Sequence, residues 1–223
     1  MGQIVKLTAA DGHALSAYRA DPAGKPKGGL VVIQEIFGVN NHIRSVTDSF
    51  AADGYVAIAP ALFDRVRPGI ELGYAEADIA SGRDIRAKVS FEQALADIDA
   101  AKKAIAGAGK LGAIGYCWGG TLAWLSATRL DGFAATVAYY GGGIGGLAKE
   151  KPRCPVQFHF GETDHAIPMA DVGTLRGAQG ATVEIQVYPA GHGFNCNERG
   201  SYHKPSADRA RARALAFLKE HVG

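Results

Sequence analysis

The chain has 223 residues, 47% of them hydrophobic and 21% charged, with a net charge of +2. That balance is ordinary for a globular chain, so extended disorder is not expected, and it gives no global electrostatic reason to bind nucleic acid or an acidic membrane. The length fits one α/β domain, read here as residues 1–223, with no composition break, linker or internal repeat.

In chain order, "QIVKLTA" and "ALSAYRA" flank Asp11-Gly12 and read as an opening β-hairpin. "GGLVVIQ" (28–34) is a continuous apolar run rich in β-branched residues, as expected of a strand covered on both faces. A helix over about 41–53 is stopped by Gly54, and "YVAIAP" (55–60) is the next strand. Residues 61–83 read as irregular and polar, a segment that could form a lid. From Asp84 to about Ala106, apolar positions recur at near-helical intervals and predict a single helix ended by Gly107 and Gly109. "KLGAIGY" is a strand and "GTLAWLSATRL" a buried helix; "AATVAYYG", "CPVQFHFG" and "TVEIQVYP" are three more strands. A last helix, about 206–221, would bury Ala212, Leu215, Leu218 and Val222 and leave Arg209, Arg211 and Arg213 on a solvated face. Strands alternating with helices predict a mostly parallel sheet with helices on both sides.

Ligands of such sheets bind beyond the carboxyl ends of the strands. "IGYCWGG" (114–120) sits at one of these ends and has the spacing of a nucleophile elbow, a sharp strand-to-helix turn, with Cys117 at its tip. A thiol reacts as thiolate, whose unperturbed pKa is about 8.5, so it needs a basic neighbour. His192, between Gly191 and Gly193 and just past the last predicted strand, can take that proton. Asp164 in "FHFGETDHAIP" can hold the far imidazole nitrogen, with Glu162 the competing acid and His165 the rival base. The order nucleophile, acid, histidine is that of the α/β-hydrolase sheet. In that architecture the oxyanion meets two backbone amides, here Trp118 after the nucleophile and Ile36 in "IQEIFG".

"QEIFGVN" (34–40), "GYCWGG" (115–120), "GETDHAIP" (161–168) and "AGHGF" (190–194) together resemble the dienelactone hydrolases, the carboxymethylenebutenolidases. The resemblance runs through nearly the whole chain and implies an α/β-hydrolase fold with Cys117, Asp164 and His192 as the catalytic triad. It also implies that Glu35 contacts the resting thiol and keeps it neutral until substrate binds. In the best-known members two arginines hold a substrate carboxylate. Arg65 in "LFDR" matches one, whereas Cys196 stands where the other is expected, with Arg199 nearby as a substitute. Phe37, Trp118 and Tyr140 are expected to line the pocket.

The expected activity is hydrolysis of a small enol-lactone or activated ester through an acyl thioester, without metal or organic cofactor. A general carboxylesterase or thioesterase is the alternative, and a non-catalytic, redox-sensitive binding protein a further one. A monomer is expected, with a homodimer as the alternative, and no nucleic-acid or membrane partner. No apolar stretch approaches the ~20 residues that span a bilayer. The opening residues have no basic region followed by an apolar block, so no secretory signal is expected. Cys117, Cys154 and Cys196 show no paired spacing, which argues against a disulfide framework and for a reducing cytoplasm.

Overall fold

The computed structural model describes residues 2–223. In chain order the elements are β1 (Gln3–Thr8), β2 (Ala14–Ala20), β3 (Gly29–Ile33), α1 (Asn41–Ala52), β4 (Val56–Pro60), α2 (Glu76–Arg86), α3 (Phe91–Ala104) and β5 (Leu111–Tyr116). They continue with α4 (Trp118–Arg129), β6 (Ala135–Tyr139), α5 (Ile144–Leu147), β7 (Val156–Gly161), α6 (Met169–Gln179), β8 (Val183–Tyr188) and α7 (Lys204–His221). The strands form one eight-stranded sheet in the order β1-β2-β4-β3-β5-β6-β7-β8. β1 and β2 pair antiparallel, β2 joins β4 antiparallel, and β3 to β8 run parallel. β3 through β7 are buried along their whole length, which explains why their sequences read as unbroken apolar runs.

Local chemistry sets the helix boundaries. The Asn40 side chain caps α1 by accepting from the Ile43 amide at 3.2 Å. The helix expected from residue 84 to 106 is instead two helices. Ser90 accepts from the Gln93 amide at 3.2 Å, and the Gln93 side chain accepts from the Ser90 amide at 3.0 Å. This reciprocal cap starts a new helix at Phe91 and outweighs the continuous apolar period. Upstream of the break, α2 occupies part of the segment read as irregular. Gly82 is its one buried residue, and its apolar stripe is too short to announce it. The short α5 and the helix α6 also went unread. α7 buries Ala207, Ala210, Ala214, Phe217 and Leu218; of the expected face Leu218 and Val222 are buried and Leu215 partly so, whereas Ala212 is exposed. Arg211 is drawn off the solvated face: it pairs with Asp53 at the end of α1 and lies 4.6 Å over the Phe50 ring.

The order of strands reverses at β3. From β3 the chain goes outward to β4, then returns to β5 on the other side, and the ends of β3 and β5 flank the resulting crevice. The turn out of β5 is tight. A methyl group at Gly115 would strike the Gly119 carbonyl, one at Gly119 the carbonyls of Ile33 and Gln34, and one at Gly120 the Tyr139 carbonyl. α4 can therefore lie against β3 and β6 only because these positions lack a Cβ. Gly119→Ala is expected to cost more than ~2 kcal/mol, a fall in Tm of roughly 5 °C or more; an unchanged melting curve would show that the turn has room to relax.

Candidate active site

Cys117 sits at the tip of that turn with φ 55° and ψ −119°. A non-glycine residue in this region stores on the order of 1–3 kcal/mol, held in place by the surrounding packing. Its amide donates to the Tyr139 carbonyl at 3.0 Å, which ties the tip to the end of β6. Because Cys117 immediately precedes α4, the positive end of that helix faces the sulfur and favours negative charge there.

Three side chains from three strand ends meet in a row. His192 Nε2 is 3.2 Å from Cys117 Sγ, and His192 Nδ1 is 2.8 Å from Asp164 Oδ2. Asp164 is buried and its other oxygen accepts from the Ala166 amide at 2.8 Å. The rivals are elsewhere: Glu162 and His165 are both exposed. Burial works against the imidazolium of His192. The hydrogen bonds to Asp164 and Cys117, with the charges of both partners, outweigh it and raise the imidazole to about 10. The ring is backed by Tyr140, edge-on at 5.2 Å.

Glu35, fully buried past the end of β3, accepts from Arg199 Nη1 at 3.1 Å on one oxygen and from the Tyr74 hydroxyl at 3.2 Å on the other. The contact with the thiol that the resemblance implied is thus not the one seen: Sγ faces His192 and the carboxylate faces Arg199. The Arg199 guanidinium packs on Gly193, whose φ of 76° and missing Cβ leave it space. Cys196, also buried, lies beside this cluster, where burial and the Glu35 charge push its thiol up to about 12. Glu35, His42 and Cys196 each bring one ligand-type atom within 4.8 Å of the others. Both Glu35 oxygens are already engaged, however, and the Arg199 cation beside them opposes a second cation.

A cavity of about 570 Å³ opens over Cys117 and His192. Ile36, Phe37, Trp118 and Arg199 are among its lining residues. The Ile36 and Trp118 amides make no hydrogen bond among the described residues, so both remain available as donors. Two expectations are corrected. Tyr140 is completely buried behind His192, with a φ of 37°, and takes no part in the lining. Arg65 is also absent from the lining. Its guanidinium makes a double contact with buried Asp97, at 3.0 and 2.7 Å, and reaches Asp11 at 2.5 and 3.1 Å. An arginine committed to two carboxylates has no donor face left for a third. The sequence reading missed Arg83, Arg86 and Phe91, which form the α2–α3 side of the cavity, and Gly142, Gly143 and Gly146, which form another side.

Two outcomes test this arrangement. Arg65→Ala is expected to destabilise by ~3–5 kcal/mol, because it strands the buried Asp97 charge, and denaturant unfolding measures this. A loss within the range of a surface substitution would return Arg65 to the binding candidates. Since the folded imidazole lies above its free value, His192 should remain protonated through neutral pH and lose its proton only as pH rises toward 10. Nitrogen-15 NMR of the ring should show this, and Asp164→Asn should lower the midpoint; a midpoint near 6.5 in the unaltered protein contradicts the coupling.

Comparison with known proteins agrees with the fold and extends it. Residues 15–222 match the dienelactone hydrolase family. A Synechocystis protein provisionally named a carboxymethylenebutenolidase is 38% identical over 86% of this chain and 86% of its own length. One from Escherichia coli K12 with the same provisional name is 37% identical over 95% of this chain and 84% of its own. A crystal structure from Klebsiella pneumoniae, provisionally named a dienelactone hydrolase, superposes with a TM-score of 0.86 at 34% identity, covering 98% of this chain and all of that one. With its sheet order, its tight turn after β5 and these relatives, the chain belongs to the dienelactone hydrolase family.

Proposed function

We propose that the protein is a cysteine hydrolase of lactones and esters, with Cys117, His192 and Asp164 as its catalytic groups. The observation that carries this reading is the continuous row from Asp164 through His192 to Cys117, at 2.8 and 3.2 Å, whose His192 and Cys117 line the cavity. Family membership and the relatives' provisional names point to the same reaction class.

In this mechanism the proton of the Cys117–His192 pair rests on His192 Nε2 before attack, leaving Cys117 as thiolate, and Asp164 steadies the imidazolium through Nδ1. The thiolate attacks the substrate carbonyl carbon, a C–S bond forms, and the carbonyl π pair moves to oxygen. The Ile36 and Trp118 amides stabilise that oxyanion; a single donor of this kind is typically worth about 10²–10³ in rate. Collapse expels the alcohol or enol oxygen, which takes its proton from the imidazolium, and leaves an acyl thioester on Cys117. Water then attacks, gives its proton to the now neutral His192, and the thiolate departs. The net change is addition of one water across the C–O bond. An enolate is a good leaving group and needs little protonation to depart, which suits a thiolate to enol-lactones, whose leaving group stays tethered in the ring-opened product.

Glu35 enters as an electrostatic neighbour. While Arg199 holds it, its charge is directed away from Cys117; freed from Arg199, the same carboxylate would disfavour the thiolate. A general carboxylesterase is the second reading, favoured by a cavity that falls within the roughly 300–1,000 Å³ typical of sites for drug-sized ligands.

Cys117→Ala is expected to abolish hydrolysis of enol-lactones and p-nitrophenyl esters, by at least ~10³-fold in kcat/KM. Mass spectrometry of the unaltered protein, quenched early in turnover, should find the acyl mass on the peptide containing Cys117. Undiminished hydrolysis by the folded variant would refute the assignment.

A further inference from the structure

From the order of the sheet and the lining of the cavity we infer that segment 142–147, after β6, is the leaving-group side of the site, and that it admits an alcohol or enol part carrying a bulky apolar group. This deepens the hydrolase reading and rests on it. In that reading three groups radiate from the reacting carbon besides the sulfur: the oxyanion, the leaving oxygen and the acyl chain. The oxyanion points to the Ile36 and Trp118 amides, and Ile36 follows β3. The leaving oxygen must come within reach of His192 Nε2, which protonates it. In the sheet β3 lies on one side of β5. On the other side lie β6, β7 and β8, which carry Gly142, Ala166 and His192 beyond their ends. The departing group is therefore directed over the end of β6, where Gly142, Gly143, Gly146, Leu147 and Ala166 line the cavity.

The glycines of this wall differ in why they are glycine. A methyl group at Gly141 would strike the Thr121 amide, and one at Gly145 the Asp171 carboxylate. Gly143 has a φ of 69°, which favours glycine. Gly142 and Gly146 have neither reason. No atom lies within 4 Å of where their Cβ would be, and neither has a φ in the left-handed region. Gly146 moreover belongs to α5, and glycine is a weak helix former beside alanine. Gly177 on α6 is equally open, so openness alone identifies nothing. What sets Gly142 and Gly146 apart is that they line the cavity together with His192 and Leu147. The wall is also held in place. Thr121 Oγ1 donates to the Gly142 carbonyl at 2.8 Å, and Trp124 Nε1 to the Leu147 carbonyl at 3.2 Å. Both ends are thereby tied to α4, the helix that begins just after the nucleophile. The space left by the missing side chains has a fixed outline, and Leu147 and Ala166 give it an apolar border where an apolar substituent gains by leaving water.

The experiment uses two series of esters. The acetates of phenol, 4-tert-butylphenol and 2-naphthol have leaving groups that differ in size more than in acidity. In the phenyl esters of acetic, butyric and hexanoic acid only the acyl chain grows. The unaltered enzyme should hydrolyse the two bulky acetates with a kcat/KM at least equal to that for phenyl acetate. In the double variant Gly142→Leu, Gly146→Leu the ratio of bulky acetates to phenyl acetate should fall at least ~10-fold. Ratios within the acyl series should move less than about 3-fold. Gly177→Leu, at an open position away from the cavity, should alter neither series. Should the double variant fail to fold, Gly146→Leu alone reads the same ratios. A fall confined to the acyl series, an equal fall in both, or no change in either overturns the proposal. If the unaltered enzyme turns over neither series, the hydrolase reading fails, and the wall is then judged by binding. Calorimetric titration of Cys117→Ala protein with 4-tert-butylphenol should show affinity that the two leucines weaken at least ~10-fold. No affinity, or equal affinities, overturns the proposal.

Discussion

The approach of α4 to the ends of β3 and β6 is the constraint on which the rest of the site depends. It forces Cys117 to a φ of 55°, turns the positive end of a twelve-residue helix toward its sulfur and leaves the Trp118 amide without a partner among the described residues. Three glycines make the approach possible, and each faces a backbone carbonyl where a Cβ would otherwise sit. Strain at the tip is therefore maintained by the close packing of main chain on main chain, which has few ways to relax.

Around that fixed point the charges are arranged in two separate chains. One runs from Asp164 through His192 to Cys117, and its charges outweigh the burial that opposes a protonated imidazole. The other links Tyr74, Glu35 and Arg199, with Cys196 beside them. Buried ion pairs contribute little net stability compared with apolar packing. A pair kept next to the proposed nucleophile is better understood as setting where a carboxylate rests. Arg65 and Asp97 form a comparable buried pair in a different part of the chain, where it braces the turn after β4 against α3.

The sheet and the row of three catalytic candidates were legible because they are written in local signals. Buried parallel strands read as apolar runs, and Gly115, Cys117 and Gly119 specify a turn that few other geometries require. The walls of the cavity were not legible, for a physical reason. α2 packs through the backbone of Gly82 with only Ile79 and Ile85 as large apolar side chains, too short a stripe for periodicity to mark its start, and Arg83 and Arg86 were passed over with it. Arg65 was misassigned because position in the chain does not reveal partners; only the fold brings Asp11 and Asp97 to the same guanidinium. Tyr140 was misassigned similarly, since a residue just past a strand end can turn into the core as readily as into a cleft.

The contact between Gly82 and the Ile36 carbonyl has a consequence for how this protein can change. The α2 wall of the cavity and the loop carrying the proposed oxyanion donor Ile36 share a surface of bare main chain. Most of α2 faces solvent, so its outer positions are open to drift at little energetic penalty. Position 82 is not: it is pinned against the Ile36 carbonyl, with no room for a Cβ. A lineage could exchange the side chains around this pin, and with them the shape and charge of the cavity wall, while the spacing of Cys117, His192 and Asp164 stayed fixed.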